Sequence, residues 1–477
     1  MAAEKERMSA VDTAWLRMDR ATNLMVILGV WVLERPLEFE RFRQVVAERF
    51  MRHERFRCRP VDDLVSASWE PDVDFDLDSH ISPVALPAPA GKAELEALVS
   101  ELAGTTLDPR RPLWQFHLVE NYAGGAAVVM RIHHCYADGI ALRSVFLSLT
   151  DPDPETPRAL PGVDALGGKP GLLPGRALDF LEQLPIPGAG FMRTAVTEGA
   201  GLLGKIVDLA CHPDHANDLA RHAVGAAAEL VRVSALPDDP PTLFKGDLGT
   251  RKQAAWSEPL SLFEVRTVAH ALGCTINDIL MSAAAGALGG YLRDRGEATD
   301  DLTIRATVPV NLRDAGHDIA LGNQFGLVFL DLPIGISDPL ERVEAVHECM
   351  SGLKGSYQPV LMLGLMAALG LLGESAEDVA IDLLSKKATL VASNVPGPSC
   401  PLYMCGSLIS QLMFWVPQSG DIGLGISILS YNGQVQFGLI TDHRRVADPE
   451  AIAARFSIEF ESILLAVLLG PYLRRQD

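Results

Sequence analysis

The chain has 477 residues, which suits two domains better than one, and its 48% hydrophobic content is enough for two sizeable cores. Its 41 basic against 61 acidic residues give a net charge of −20. That balance argues against nucleic acid as a partner, since phosphate binding wants a basic stripe, and any attachment to anionic lipid must then rest on apolar insertion.

In chain order, residues 8–150 alternate strands and helices. Asn23 to Leu33 reads as a buried strand, and Leu37 to Arg52 has helical spacing with a charged face. Trp114 to Glu120 and Ala126 to His134 read as a hairpin closed by Asn121–Gly125, followed by an amphipathic helix over Ile140 to Leu149. Asp151 to Gly175 is rich in proline, aspartate and glycine, as a linker is, and 176 to about 236 is a small-residue, mostly helical stretch. Within it, Cys211-His212-Pro213-Asp214-His215 superficially suggests a metal site, but a proline interrupts it and no second ligand group exists. The seven cysteines are scattered, so neither a zinc site nor a disulfide framework is expected.

The second half begins near Pro240. It carries a helix capped by Thr275, strands near Leu302–Val310, Leu327–Leu332 and Thr389–Ser393, and a glycine-rich hairpin over Gly423–Ile440. Strands alternating with helices in both halves predict an α/β fold with two sandwich domains and mixed sheets. The predicted division is 1–160, a connector over 161–240, and 241–477. The N-terminus lacks a signal pattern, and the longest apolar run, Val360 to Gly373, falls short of the roughly 20 residues of a spanning helix. A cytoplasmic location is therefore expected. The apolar run reads either as a buried helix or as the wall of a greasy channel, since it is apolar on every face.

The most informative stretch is His133-His134-Cys135-Tyr136-Ala137-Asp138-Gly139, between a strand and a helix. Successive strand side chains alternate faces, so one imidazole should reach a cavity and the other pack inward. A neutral imidazole can accept a proton from an alcohol or thiol at neutral pH. Asp138 can cap the following helix or pair with an arginine. Gly139 is expected to supply backbone freedom that a bulkier residue would resist.

This heptapeptide resembles the signature of the CoA-dependent acyltransferase superfamily, which includes chloramphenicol acetyltransferases and condensation domains. Six further ordered motifs resemble one branch, the bacterial wax ester synthase/diacylglycerol acyltransferase family. They are Met8-Ser9-Ala10-Val11-Asp12, Pro112-Leu113-Trp114, Asn277-Asp278, Pro309-Val310-Asn311-Leu312-Arg313, Gly322-Asn323-Gln324-Phe325-Gly326 and Ser393-Asn394-Val395-Pro396-Gly397-Pro398. The match runs from residue 8 to about 470.

The resemblance implies two chloramphenicol-acetyltransferase-like domains with a channel between them and the His-His motif at its middle. It implies transfer of a fatty acyl group from its CoA thioester to a fatty alcohol or diacylglycerol. No cofactor is implied, acyl-CoA being a substrate. His134 would be the general base and His133 its neighbour or a packing residue. Asp138 would brace the turn, with Arg313 as a candidate partner. Asn277, in the first turn of its helix, is the candidate oxyanion donor and Asn394 a second. Asp278 would brace the helix end, and Trp114 reads as core. The small residues from Ser282 to Gly290 permit close helix packing or an acyl groove. Arg251-Lys252 and Lys386-Lys387 are available for CoA phosphates. Peripheral contact with the inner membrane or lipid inclusions is compatible with such substrates.

Four rival readings stand beside this one. A lipid-acting serine hydrolase predicts a Gly-x-Ser-x-Gly elbow, which this chain lacks. A nucleotide-binding loop is approached by Gly199–Lys205, but Ile206 stands where a Ser or Thr belongs. A condensation-type enzyme with carrier-bound donors, or a lipid-binding relative without catalysis, would keep the His-His motif.

Overall fold

The computed structural model describes residues 5–63, 67–155, 235–313, 321–353, 358–372 and 374–473, with 233 and 356. The Cys211–His215 cluster, the Gly199–Lys205 loop and most of the expected connector lie outside these residues. Two mixed sheets dominate. The first runs in the order Tyr403–Met404, Ser407–Trp415, Val26–Leu33, Ala126–His133, Trp114–Val119 and Ile81–Val84. Its central strands Val26–Leu33 and Ala126–His133 are buried at every position, which is why the first is a continuous apolar run and the second is broken only by the buried Arg131 and His133. Ile81–Val84 pairs parallel with Trp114–Val119, and the other pairings are antiparallel.

The second sheet runs Phe325–Leu332, Ile304–Asn311, Leu390–Pro396, Leu424–Tyr431, Gln434–Asp442 and Lys252–Trp256, with Leu260–Ser261 beside Gln434–Asp442. Its three middle strands are parallel. Helix Ile276–Asp294 begins in a capping box of Thr275 and Asp278. Its small residues serve close packing: a Cβ on Gly289 would lie 2.0 Å from the Ile334 carbonyl oxygen.

Two strands, Tyr403–Met404 and Ser407–Trp415, cross the expected domain division. Ser407–Trp415, placed by sequence with the C-terminal domain, pairs with Val26–Leu33 in the first sheet. The two lobes are therefore interleaved rather than consecutive. They also meet where helix Ala10–Arg17, capped by Ser9, packs on the charge-free helix Gln358–Leu372. That crossing depends on glycine: a Cβ on Gly370 would lie 1.8 Å from the Ala10 carbonyl oxygen. Replacing Gly370 by alanine should destabilise the protein by ~1–3 kcal/mol through overpacking, read as a lower urea midpoint. An unchanged midpoint would contradict so close an approach.

Candidate active site

The motif strand ends at His133 and the chain turns at His134. Backbone hydrogen bonds pin both histidines to neighbouring chain: His133 N–H donates to the Leu113 carbonyl at 2.9 Å and His134 N–H to that of Met25 at 2.7 Å. The two rings then diverge. His133 is buried, its Nδ1 accepts from the Cys135 N–H at 3.2 Å, and its Nε2 lies 3.7 Å from Asp19. His134 instead lines a cavity of about 360 Å³.

Around His134 the contacts come from both lobes. Trp15 stacks on the imidazole with ring centroids 4.1 Å apart, and Phe325 lies tilted against it at 5.6 Å. Asn323 Nδ2 donates to the His134 carbonyl at 2.9 Å and to Asp12 Oδ1 at 2.8 Å. Burial pushes the Asp12 carboxyl up from its usual range, with Arg55 and the Asn323 hydrogen bonds opposing. The His134 ring is 4% exposed with Nδ1 sealed and unpartnered, which leaves Nε2 as the nitrogen open to a substrate. Desolvation pulls its pKa down to about 4, against the opposing pull of the Asp138 charge. The imidazole is therefore neutral at physiological pH and able to accept a proton.

Asp138 does two things at once. One carboxylate oxygen caps helix Gly139–Ser148 by accepting from the Ala141 N–H at 2.9 Å. The other accepts from Arg313 Nη2 at 2.7 Å, Arg313 Nε at 3.1 Å and the Gln324 N–H at 2.9 Å. Its own N–H donates to the Gly322 carbonyl at 3.2 Å. The carboxylate thus ties the motif turn to the segments that carry Arg313 and Asn323.

Gly139 departs from the sequence expectation. Its backbone is not in the left-handed region, and an added Cβ would meet no atom within 4 Å. What the glycine provides is empty space at the cavity wall.

The cavity lies on the face of the second sheet, and strand alternation sets its depth. Asn311 pairs with Phe325, Pro309 with Leu327, and Thr307 with Phe329, and all six line it. From the first row, beside His134, to the third is four residues, ~13–14 Å at strand rise. On the opposite wall Met362, Leu365, Met366 and Leu369 form one face of helix Gln358–Leu372, ~10 Å long. The apolar run is thus both a packed helix and a channel wall.

The remaining expected residues are less central. Asn394 lines the cavity, and its Nδ2 donates to Asn277 Oδ1 at 2.8 Å; Asn277 itself is exposed and off the wall. Asp278 accepts from the Thr275 N–H and from His347, both at 2.8 Å. Trp114 is fully buried, its indole donating to the Phe56 carbonyl at 2.8 Å. Lys252 is buried against Asn23 and Asp442, and Lys387 pairs with Asp238, while Arg251 and Lys386 are exposed. The sequence reading assigned no role to Trp15, Asp12 or Asn323; the last two stand within quoted motifs, but nothing local places Trp15 on the imidazole. Among the described residues no cluster of His, Cys, Asp and Glu could hold a metal, and no single helix is long and apolar enough to cross a membrane.

Comparison with known proteins decides the family. The wax ester synthase/diacylglycerol acyltransferase catalytic domain matches residues 8–280, and that family's C-terminal domain matches 321–464. The chain belongs to this family. Two Mycobacterium tuberculosis proteins named as diacylglycerol O-acyltransferases are 30% and 27% identical to it, covering 98% and 97% of this chain and 98% and 91% of their own. The wax ester synthase/diacylglycerol acyltransferase of Marinobacter aquaeolei VT8 has the same fold, with a TM-score of 0.67 at 21% identity over 97% of this chain and 99% of that one. A condensation domain of the calcium-dependent antibiotic synthetase matches at 0.57 and 14% identity, over 98% and 97%. The protein is an acyltransferase of the wax ester synthase/diacylglycerol acyltransferase family, and its two lobes have the fold shared with condensation domains.

Because His134 is held neutral by burial, the acid limb of kcat/KM should fall near pH 4–5, well below the ~6.5 of an exposed imidazole. A pH–rate profile on protein shown to be folded checks this; a limb at 6.5 would contradict it. Asn323→Ala should lower kcat more than it changes KM, since it frees the His134 carbonyl rather than a substrate contact. Steady-state kinetics on that variant provide the check.

Proposed function

We propose that the protein transfers a long-chain acyl group from acyl-CoA to the hydroxyl of a fatty alcohol or diacylglycerol. The observation that carries this is a neutral imidazole at the end of a deep apolar cavity. A channel of ~13–14 Å accommodates an extended tail of about ten bonds, at ~3.6 Å per three bonds. The acyl-CoA class has support in the starter condensation domain of rhizomide synthetase, a fold relative at TM-score 0.52 and 15% identity solved with C8-CoA.

In this reading His134 Nε2 takes the hydroxyl proton as the acceptor oxygen attacks the thioester carbonyl. The carbon–sulfur bond then breaks, and the imidazolium returns the proton to the CoA thiolate, leaving ester and free CoA. The same burial that depresses the His134 pKa makes its imidazolium strongly acidic, so the return is favourable. The nearby Asp138 charge offsets part of the cost of forming that cation. No acyl-enzyme is required, because both substrates meet at one base. Asn394, on the cavity wall, is the better-placed donor to the oxyanion, with Asn277 anchoring it.

His134→Ala should lower ester formation from palmitoyl-CoA with hexadecanol or dioleoylglycerol by ~10²–10⁴-fold while leaving the fold intact. Radiolabelled product on thin-layer plates gives the measurement. Undiminished turnover would remove the mechanism, and activity with carrier-bound but not CoA-bound donors would reassign the donor.

A further inference from the structure

Beside the main cavity lies a second one of about 90 Å³, walled on one side by Gly139, Leu142, Arg143, Phe146, Leu147 and Thr150. Spacings of three and four place Gly139 to Leu147 on one face of the helix Gly139–Ser148, with Thr150 just beyond its end. At helical rise, that face extends ~12 Å. Across the groove stand Ile27 and Trp31 from the central strand and Phe414 from a strand that crosses between lobes. Trp31 meets Phe146 edge-on with ring centroids 5.8 Å apart.

The groove and the main cavity share Gly139, Val395 and Phe414 as lining residues. Gly139 immediately follows Asp138, and neither its backbone angle nor a crowded neighbour demands glycine. A side chain at 139 would project into the fork between the two spaces. The glycine keeps that fork open.

We infer that the groove is a second alkyl subsite, which holds the first few methylenes of the other hydrocarbon tail of the reacting pair while the main cavity holds the first tail. This rests on the acyl-transfer reading above, in which two lipids must present their reacting ends to one imidazole. At about 90 Å³ the groove is smaller than the ~150 Å³ apolar cavity that admits benzene, so it takes a short stretch of one unbranched tail near its reacting end and not a ring or two chains. It is apolar along its length apart from Arg143 and Thr150. The Thr150 hydroxyl is satisfied by the Leu147 carbonyl at 3.0 Å and Arg143 donates to the Pro396 carbonyl at 3.1 Å. The tail belongs either to the acyl donor or to the acceptor; the chemistry recognised is the same.

Gly139→Val should narrow the fork and Phe146→Ala should widen the groove. The readout is tail selectivity, measured in two arms. One compares hexadecanol with butanol at fixed palmitoyl-CoA; the other compares palmitoyl-CoA with butyryl-CoA at fixed hexadecanol. Gly139→Val should lower the long-to-short ratio of kcat/KM by about tenfold in one arm, as expected for two methylenes denied burial, and Phe146→Ala should shift the same ratio the other way. The arm that moves assigns the tail to acceptor or donor. Ratios unchanged in both arms and both variants would overturn the subsite. A readout without turnover judges the groove separately: a bromine-labelled C16 alcohol or C16 acyl-CoA should quench Trp31 in the His134→Ala protein, and the quench should disappear in Trp31→Phe. Absence of that component with both probes overturns the subsite even where esters form, whereas a wild-type protein that quenches but makes no ester overturns the reading of function instead.

Discussion

The structure depends on one buried carboxylate. Asp138 begins a helix of the first lobe and simultaneously receives the Arg313 guanidinium and the Gln324 N–H from the second. Taking a carboxylate and a guanidinium out of water is costly, and the attraction between them compensates only when the remaining hydrogen-bonding positions are also filled. Here they are filled from both sides of the seam. Removing either partner would leave an uncompensated charge in the interface that positions the motif turn.

The same seam fixes the imidazole. Trp15 covers one side of His134, Phe325 lies against it, and Asn323 holds its carbonyl to Asp12. Packing from two separate chain segments makes the ring rigid and dry. Dryness depresses its pKa, and rigidity aims Nε2 at the cavity. Stability and chemistry therefore draw on the same contacts, and the apolar cavity needs little beyond that imidazole and a few amides to act on a lipid.

Much of this was legible in the sequence because it is local. Asn23–Leu33 reads as a buried strand from its apolar run, Ala126–His134 as one arm of a hairpin, and Thr275 with Asp278 marks a helix start. The seven-residue motif located the imidazole because a strand end and a helix start lie within a few residues of it. What escaped is set by long-range pairing. Ser407–Trp415 has the pattern of a strand, but no local signal says that it pairs with Val26–Leu33 rather than with its own half. Trp15 sits on an ordinary amphipathic helix, and its role exists only because that helix packs across the seam. Gly139 differs from expectation for a physical reason: glycine usually signals backbone geometry, whereas here it signals vacant volume. Asn277 was favoured for its place in a helix turn, yet the cavity wall is reached by its partner Asn394.

The claim that the Asp138–Arg313 pair acts as one unit holding the His134 turn is tested most directly by a double-mutant cycle on kcat, using Asp138→Asn, Arg313→Met and the two combined. Groups that work as a unit lose little more when the second is removed. The account predicts that the double variant is no slower than the worse single variant. Losses that multiply, each change lowering kcat independently, would contradict it.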